Sequence, residues 1–142
     1  MSYLDTKQAF ITYLLANLPT GVTSDDVAFE NHKFDPSNKP LWLAAYFIPA
    51  SSEMMGKSIS DKDEQRGIFQ ISVFVAINDN EFDNTQLQAI DELLSKFKPT
   101  QKLVYNTQNI EVLNSDVNQG SESEAWFQRD ISINYLTISE RL

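Results

Sequence analysis

Cysteine is absent from the 142 residues, which excludes disulfides and thiolate metal sites and makes a reducing cytoplasm the simplest compartment. A chain of this length is one domain and buries roughly 68–70% of the surface its unfolded form exposes, so it needs no staple. Glycine stands only at Gly21, Gly56, Gly67 and Gly120. No two of these are close enough to form a phosphate-cradling loop, so nucleotide binding of the familiar kinds is not indicated. No window approaches the roughly 20 apolar residues that span a bilayer. The start, Met1 to Lys7, has neither the basic region nor the apolar run of a signal peptide. No Asn-x-Ser/Thr sequon occurs.

Positive charge is scarce: 11 Lys and Arg stand against 20 Asp and Glu, a formal charge of −9. Between Ala76 and Ser95 there is no basic residue, while Asp79, Glu81, Asp83, Asp91 and Glu92 are present. The same holds from Leu103 to Gln128, where Glu111, Asp116, Glu122 and Glu124 remain. Such a surface repels phosphate backbones, so no specific nucleic-acid binding is expected. The acidity serves solubility, or it forms a wall past which nucleic acid moves without sticking.

The single histidine, His32, lies between Glu30 and Lys33. A small hydrolase would use His32 as a base oriented by Glu30, but no serine elbow and no cysteine offers a nucleophile, and a surface-loop histidine is the plainer reading. The spacing Asp79-x-Glu81-x-Asp83 resembles the start of a calcium loop. Its sixth position is Asn84 instead of glycine and its twelfth is Ile90 instead of glutamate, so it reads as a capped helix start with acids near the positive end of the dipole. Glu122 and Glu124 are flanked by Gly120, Ser121 and Ser123, the composition of a solvated loop. No catalytic residue, metal or cofactor is expected.

Hydrophobic spacing predicts a helix over 5–18, with Ile11, Leu14, Leu15 and Leu18 on one face, widened by Phe10 and stopped by Pro19 and Gly21. Val27 to Phe29 suits a short edge strand. Leu41 to Ile48, bracketed by Pro40 and Pro49, suits a central strand covered on both faces, and its periodicity alone also fits a short buried helix. Phe69, Ile71, Val73, Val75 and Ile77 alternate with polar and mixed residues as a strand does. A second helix, capped by Asp83 or Asn84, carries Leu87, Ile90, Leu94 and Phe97 and ends before Pro99. Strands at Lys102–Tyr105 and Asn109–Leu113 follow, then a last strand with Phe127, Ile131, Ile133 and Tyr135 on one face. The order predicts a single α+β domain over 1–142, a mixed and mainly antiparallel sheet of about four to six strands with two helices packed on one face.

Between the third and fourth of these elements lies a long polar connection over 49–67, open to motion and holding the adjacent thioethers Met54 and Met55. Connections of that length are functional or disordered, and two methionines amid Ser, Lys, Asp and Glu form an adaptable patch for a partner. That points to assembly.

A helix ending in Leu-Pro, an apolar strand with Trp42, the long connection, then Arg66-Gly67-Ile68-Phe69-Gln70, a helix ending in Lys96-Phe97 and a strand begun by Trp126: the succession resembles the tail terminator proteins of long-tailed bacteriophages and prophages. Asn78 to Asp83 departs from the proline- and glycine-containing turn often found in that family before the helix. The resemblance implies a non-enzymatic virion protein that forms a hexameric ring on the major tail tube protein, halts tube growth, offers a surface to the head–tail connector and is assembled in the host cytoplasm. On this reading Met54, Met55, Lys57, Lys62, Glu64 and Arg66 supply a subunit or tube interface. Arg66, at the mouth of a strand, pairs with a neighbour's carboxylate or with one of its own chain. Asp79, Glu81, Asp83, Glu122 and Glu124 then face the channel. Another neck or head-completion ring shares this small-subunit logic and is the alternative.

Overall fold

The computed structural model describes residues 3–37, 39–54, 62–77, 84–106, 108–123 and 125–140. Helix α1 (Tyr3–Ala16) is followed by a 3-10 turn (Ser24–Asp26) and strands β1 (Val27–Phe29), β2 (Leu41–Met54) and β3 (Lys62–Ala76). Then come α2 (Asn84–Lys96), β4 (Lys102–Tyr105), β5 (Gln108–Val117), β6 (Ser121–Ser123) and β7 (Trp126–Glu140). All seven strands join one sheet in the order β1-β2-β3-β7-β5-β4, with β6 attached to β7. Only β1 runs parallel to its neighbour, β2. The fold is therefore α+β with a mixed sheet, and β6 is the strand that takes it beyond the expected four to six. Its source is the acidic stretch after Gly120: Ser121, Glu122 and Ser123 pair with Gln128, Phe127 and Trp126, because a tight return on β7 satisfies backbone groups whatever the side-chain polarity.

Alternation along β2, β3 and β7 sends every second side chain into one core. Leu43, Phe69, Ile71, Val73, Ile131, Ile133 and Tyr135 share that core with Phe10 and Leu14 of α1 and Ile90, Leu93 and Phe97 around α2. Phe10 stacks on Phe69 at 4.7 Å between ring centroids. Expected and observed helix faces differ by a small rotation. In α1 the buried set is Thr6, Ala9, Phe10 and Leu14, while Leu15 is 37% exposed. In α2 it is Gln86, Ala89, Ile90 and Leu93, and Leu87 is exposed.

Gln86 accounts for the turn of α2, since its buried amide acts as a bracket between strands. Its Nε2 donates to Val73 O at 2.9 Å and Phe127 O at 3.1 Å, and Arg129 Nε donates to its Oε1 at 3.0 Å. Replacing it by leucine strands buried acceptors, so Gln86→Leu is expected to cost about 2–3 kcal/mol. A lower urea midpoint at unchanged slope would register the loss; an unchanged midpoint would show that the bracket carries no stability.

The structure corrects the reading of 49–67 as an unstructured connection. β2 continues through Pro49 to Met54, and β3 is already formed at Lys62. Ser51 to Met54 pair with Arg66 to Asp63, and Lys62 to Arg66 pair on the other side with Glu140 to Leu136. Beyond Thr137, where pairing with β5 ends, these segments form a three-stranded arm, and at its base Gln65 and Thr137 are still buried. Polarity there does not mark the absence of a ladder. Pro49 is tolerated because β1 pairs only as far as Ala45, leaving that side of β2, among the described residues, without a strand that needs its N–H.

Candidate assembly surface

On the arm, strand spacing places Glu64 and Arg66 on the same face, and Arg66 Nε meets Glu64 Oε1 at 2.6 Å. Arg66 thus sits inside β3, not at its mouth, and pairs within its own chain. An exposed pair of this kind contributes about 1 kcal/mol or less. Gly67 does not turn the chain from loop to ladder either. It pairs with Pro49 and Tyr135, and a Cβ there would lie 2.6 Å from Tyr135 Oη. Met54 and Lys62 lie at the end of the arm, opposite Asp63 and Glu140, while Met55 and Lys57 lie outside the described residues. Of the acidic candidates, Glu122 is an exposed residue of β6. Asp79, Glu81, Asp83 and Glu124 lie outside the described residues, as does most of the calcium-loop-like spacing.

A polar network on the opposite side of the sheet from the main core escaped sequence reasoning. Asp130 of β7 accepts from Ser72 Oγ of β3 at 2.5 Å, Gln128 Nε2 at 2.8 Å and Asn118 Nδ2 at 2.9 Å, and its own N–H donates to Asn118 Oδ1 at 2.8 Å. Gln70 Nε2 donates to Ser72 Oγ at 3.2 Å. The side-chain donors to this carboxylate are all neutral. Nearer β1 the same face turns apolar: Trp42 stacks on Phe74 at 3.9 Å and 4° and meets Trp126 edge-on at 5.7 Å. The signal was present as period-two alternation, since Gln128, Asp130, Ser132 and Asn134 interleave with core residues of β7.

His32 is exposed and borders an open groove of about 310 Å³ with Asp25, Lys33, Phe34, Asp35 and Lys39. Lys39 Nζ meets Asp26 Oδ1 at 2.8 Å. That hydrogen bond, followed by the one from the Thr23 N–H, holds the Asp26 carboxyl below its ordinary range. A depressed carboxyl favours the folded chain above its unfolded pKa. The contribution is lost as pH falls through the lowered folded value.

The described residues thus form a mixed sheet, two helices sharing its core and an arm that carries the Glu64–Arg66 ion pair. A solved structure with 24% sequence identity has the same fold, with a TM-score of 0.73 over 96% of each chain. Comparison with curated proteins returns no match. The model of the phage tail terminator protein family matches residues 7–135, and the chain belongs to that family. It is a structural protein of the phage tail, and its partners are phage tail proteins. No helix among the described residues is long and apolar enough to cross a membrane.

Proposed function

We propose that the protein closes into a hexameric ring on the last ring of the tail tube, stops tube growth and offers its far side to the head–tail connector. The family match over 7–135 carries this reading. The arm adds to it, because a closed ring needs two different complementary patches on each subunit, and a ribbon standing clear of the core is one of them. Met54, Met55, Lys57, Lys62, Glu64 and Arg66 belong to that patch. The two helices shield one face of the sheet, leaving the other face and the arm for neighbours. Asp79, Glu81, Asp83, Glu122 and Glu124 face the channel, where repulsion keeps DNA mobile.

Light scattering with negative-stain imaging, with and without purified tail tubes, tests the ring. A ring with an open centre, free or on tube ends, is expected; a chain that stays monomeric and ignores tube ends overturns the reading. Deleting residues 52–64 removes the far part of the arm and is expected to abolish ring formation, tube binding or both. If both survive, the arm is not the patch. Glu122→Lys with Glu124→Lys is expected to assemble normally yet retain DNA in a filter assay, and retention equal to wild type would remove these residues from the channel.

A further inference from the structure

A sheet edge is a template for another strand unless something closes it. β1 covers β2 only from Leu43 to Ala45, so among the described residues no strand lies beside 46–54 on that side. Three consecutive features occupy this stretch. Glu30, the residue after β1, turns its carboxylate onto the edge, and Phe47 N–H donates to its Oε1 at 2.7 Å. Two residues further on, the next N–H that would point the same way is missing, because the residue is Pro49. Then the register slips between Pro49 and Ser51, a bulge that bends the ribbon out of line with any incoming strand.

We infer that this edge is closed to strand addition by a second copy of the chain, with Glu30 filling one donor, Pro49 deleting the next and the bulge displacing the backbone groups from Ser51 onward. The closure is independent of ring formation. A long ribbon with one side unpaired is otherwise a place where copies join without limit wherever the rotation between them does not close. The sequence pattern agrees, since alanine and two serines come directly after Pro49 where a freely pairing strand favours β-branched residues.

The double variant Glu30→Ala, Pro49→Thr uncovers one N–H and restores another. Its average mass, by sedimentation and light scattering, is expected to rise several-fold with concentration beyond the wild-type species, whether that species is a monomer or a ring. Amide exchange at Phe47 should quicken in dilute variant and slow again in the associated form. A folded double variant with wild-type mass at every concentration overturns the inference, as does association that leaves the 47–52 amides exchanging freely. Glu30→Gln keeps an acceptor and removes the charge, so it is expected to behave as wild type; association equal to that of the double variant would assign the effect to lost repulsion and overturn the closure. Should the double variant fail to fold by near-ultraviolet dichroism, Pro49→Thr alone decides. Association above wild type supports the inference, and wild-type mass ends it.

Discussion

Phe10→Ala is expected to cost about 3–5 kcal/mol, the range for emptying a fully packed aromatic site. Phe10 has no exposed surface, and it is the residue by which α1 grips the sheet. Its ring stacks on Phe69 at 4.7 Å, meets Tyr135 at 5.2 Å and lies 6.5 Å from Phe97. Removing it opens a hole bordered by β3, β7 and the end of α2, three elements held by their own ladders and unable to collapse inward. Domains of this kind have a total stability of about 5–15 kcal/mol, so the variant is marginal at best. Urea unfolding of Phe10→Ala beside Leu15→Ala checks the assignment of the helix face. The sequence pattern alone ranks the two as members of one stripe, whereas the structure predicts a much smaller loss at the partly exposed Leu15. Equal losses would contradict the observed face.

Gly67→Ala is the second large effect, and a single methyl group causes it. The new Cβ would lie 2.6 Å from Tyr135 Oη, 2.7 Å from Ile48 O and 2.9 Å from Tyr135 Cζ. The conflict is one of space. Gly67 is needed because the backbone of β2 and the ring of Tyr135 both close over its position in the ladder. Overpacking of this sort costs about 1–3 kcal/mol, and the upper end is expected because one of the crowded atoms belongs to the backbone and cannot rotate away. Tyr135→Phe provides the control. The Tyr135 hydroxyl is buried without a hydrogen-bond partner among the described residues, and burial, with Tyr3 nearby adding to it, pushes the phenol well above its ordinary pKa. Its removal is therefore expected to be neutral or stabilising by up to about 1 kcal/mol. In the Tyr135→Phe background Gly67→Ala should cost less, with a coupling of about 1 kcal/mol and a residual penalty from Ile48 O and the remaining ring carbon. Additivity within about 0.5 kcal/mol would show that the hydroxyl is not what the methyl meets.

Both residues show where the sequence was readable. The existence of α1 and α2, the edge strand at Val27–Phe29 and the strand after Pro40, covered on both faces as far as Ala45, followed from spacing and breakers, because each is decided by local pattern. Facing was harder. The stripe Ile11, Leu14, Leu15 and Leu18 is a sound apolar pattern, but Phe69, Phe97 and Tyr135, from distant parts of the chain, choose Phe10 as the centre of the contact. Gln86 reads as a solvent residue until Val73 and Phe127 bring two carbonyls to it. The arm was hidden for a different reason. Its strands satisfy their backbones against each other and carry polar side chains whether exposed, as at Arg66, or buried, as at Gln65, so the usual mark of a strand, one apolar face, fades past Pro49. Asp130 belongs with these cases: its partners Ser72 and Asn118 are assembled by the register of β3, β7 and β5.

β3 has 15 residues and, at about 3.3 Å per residue, is about 50 Å long. It is hydrogen-bonded to β7 from Lys62 to Ala76 and to β2 along most of that length. One continuous spar therefore joins the outermost described point of the arm to Phe69, on which α1 rests. A load applied at the tip would pass along β3 to the core without a break in its pairing to β7.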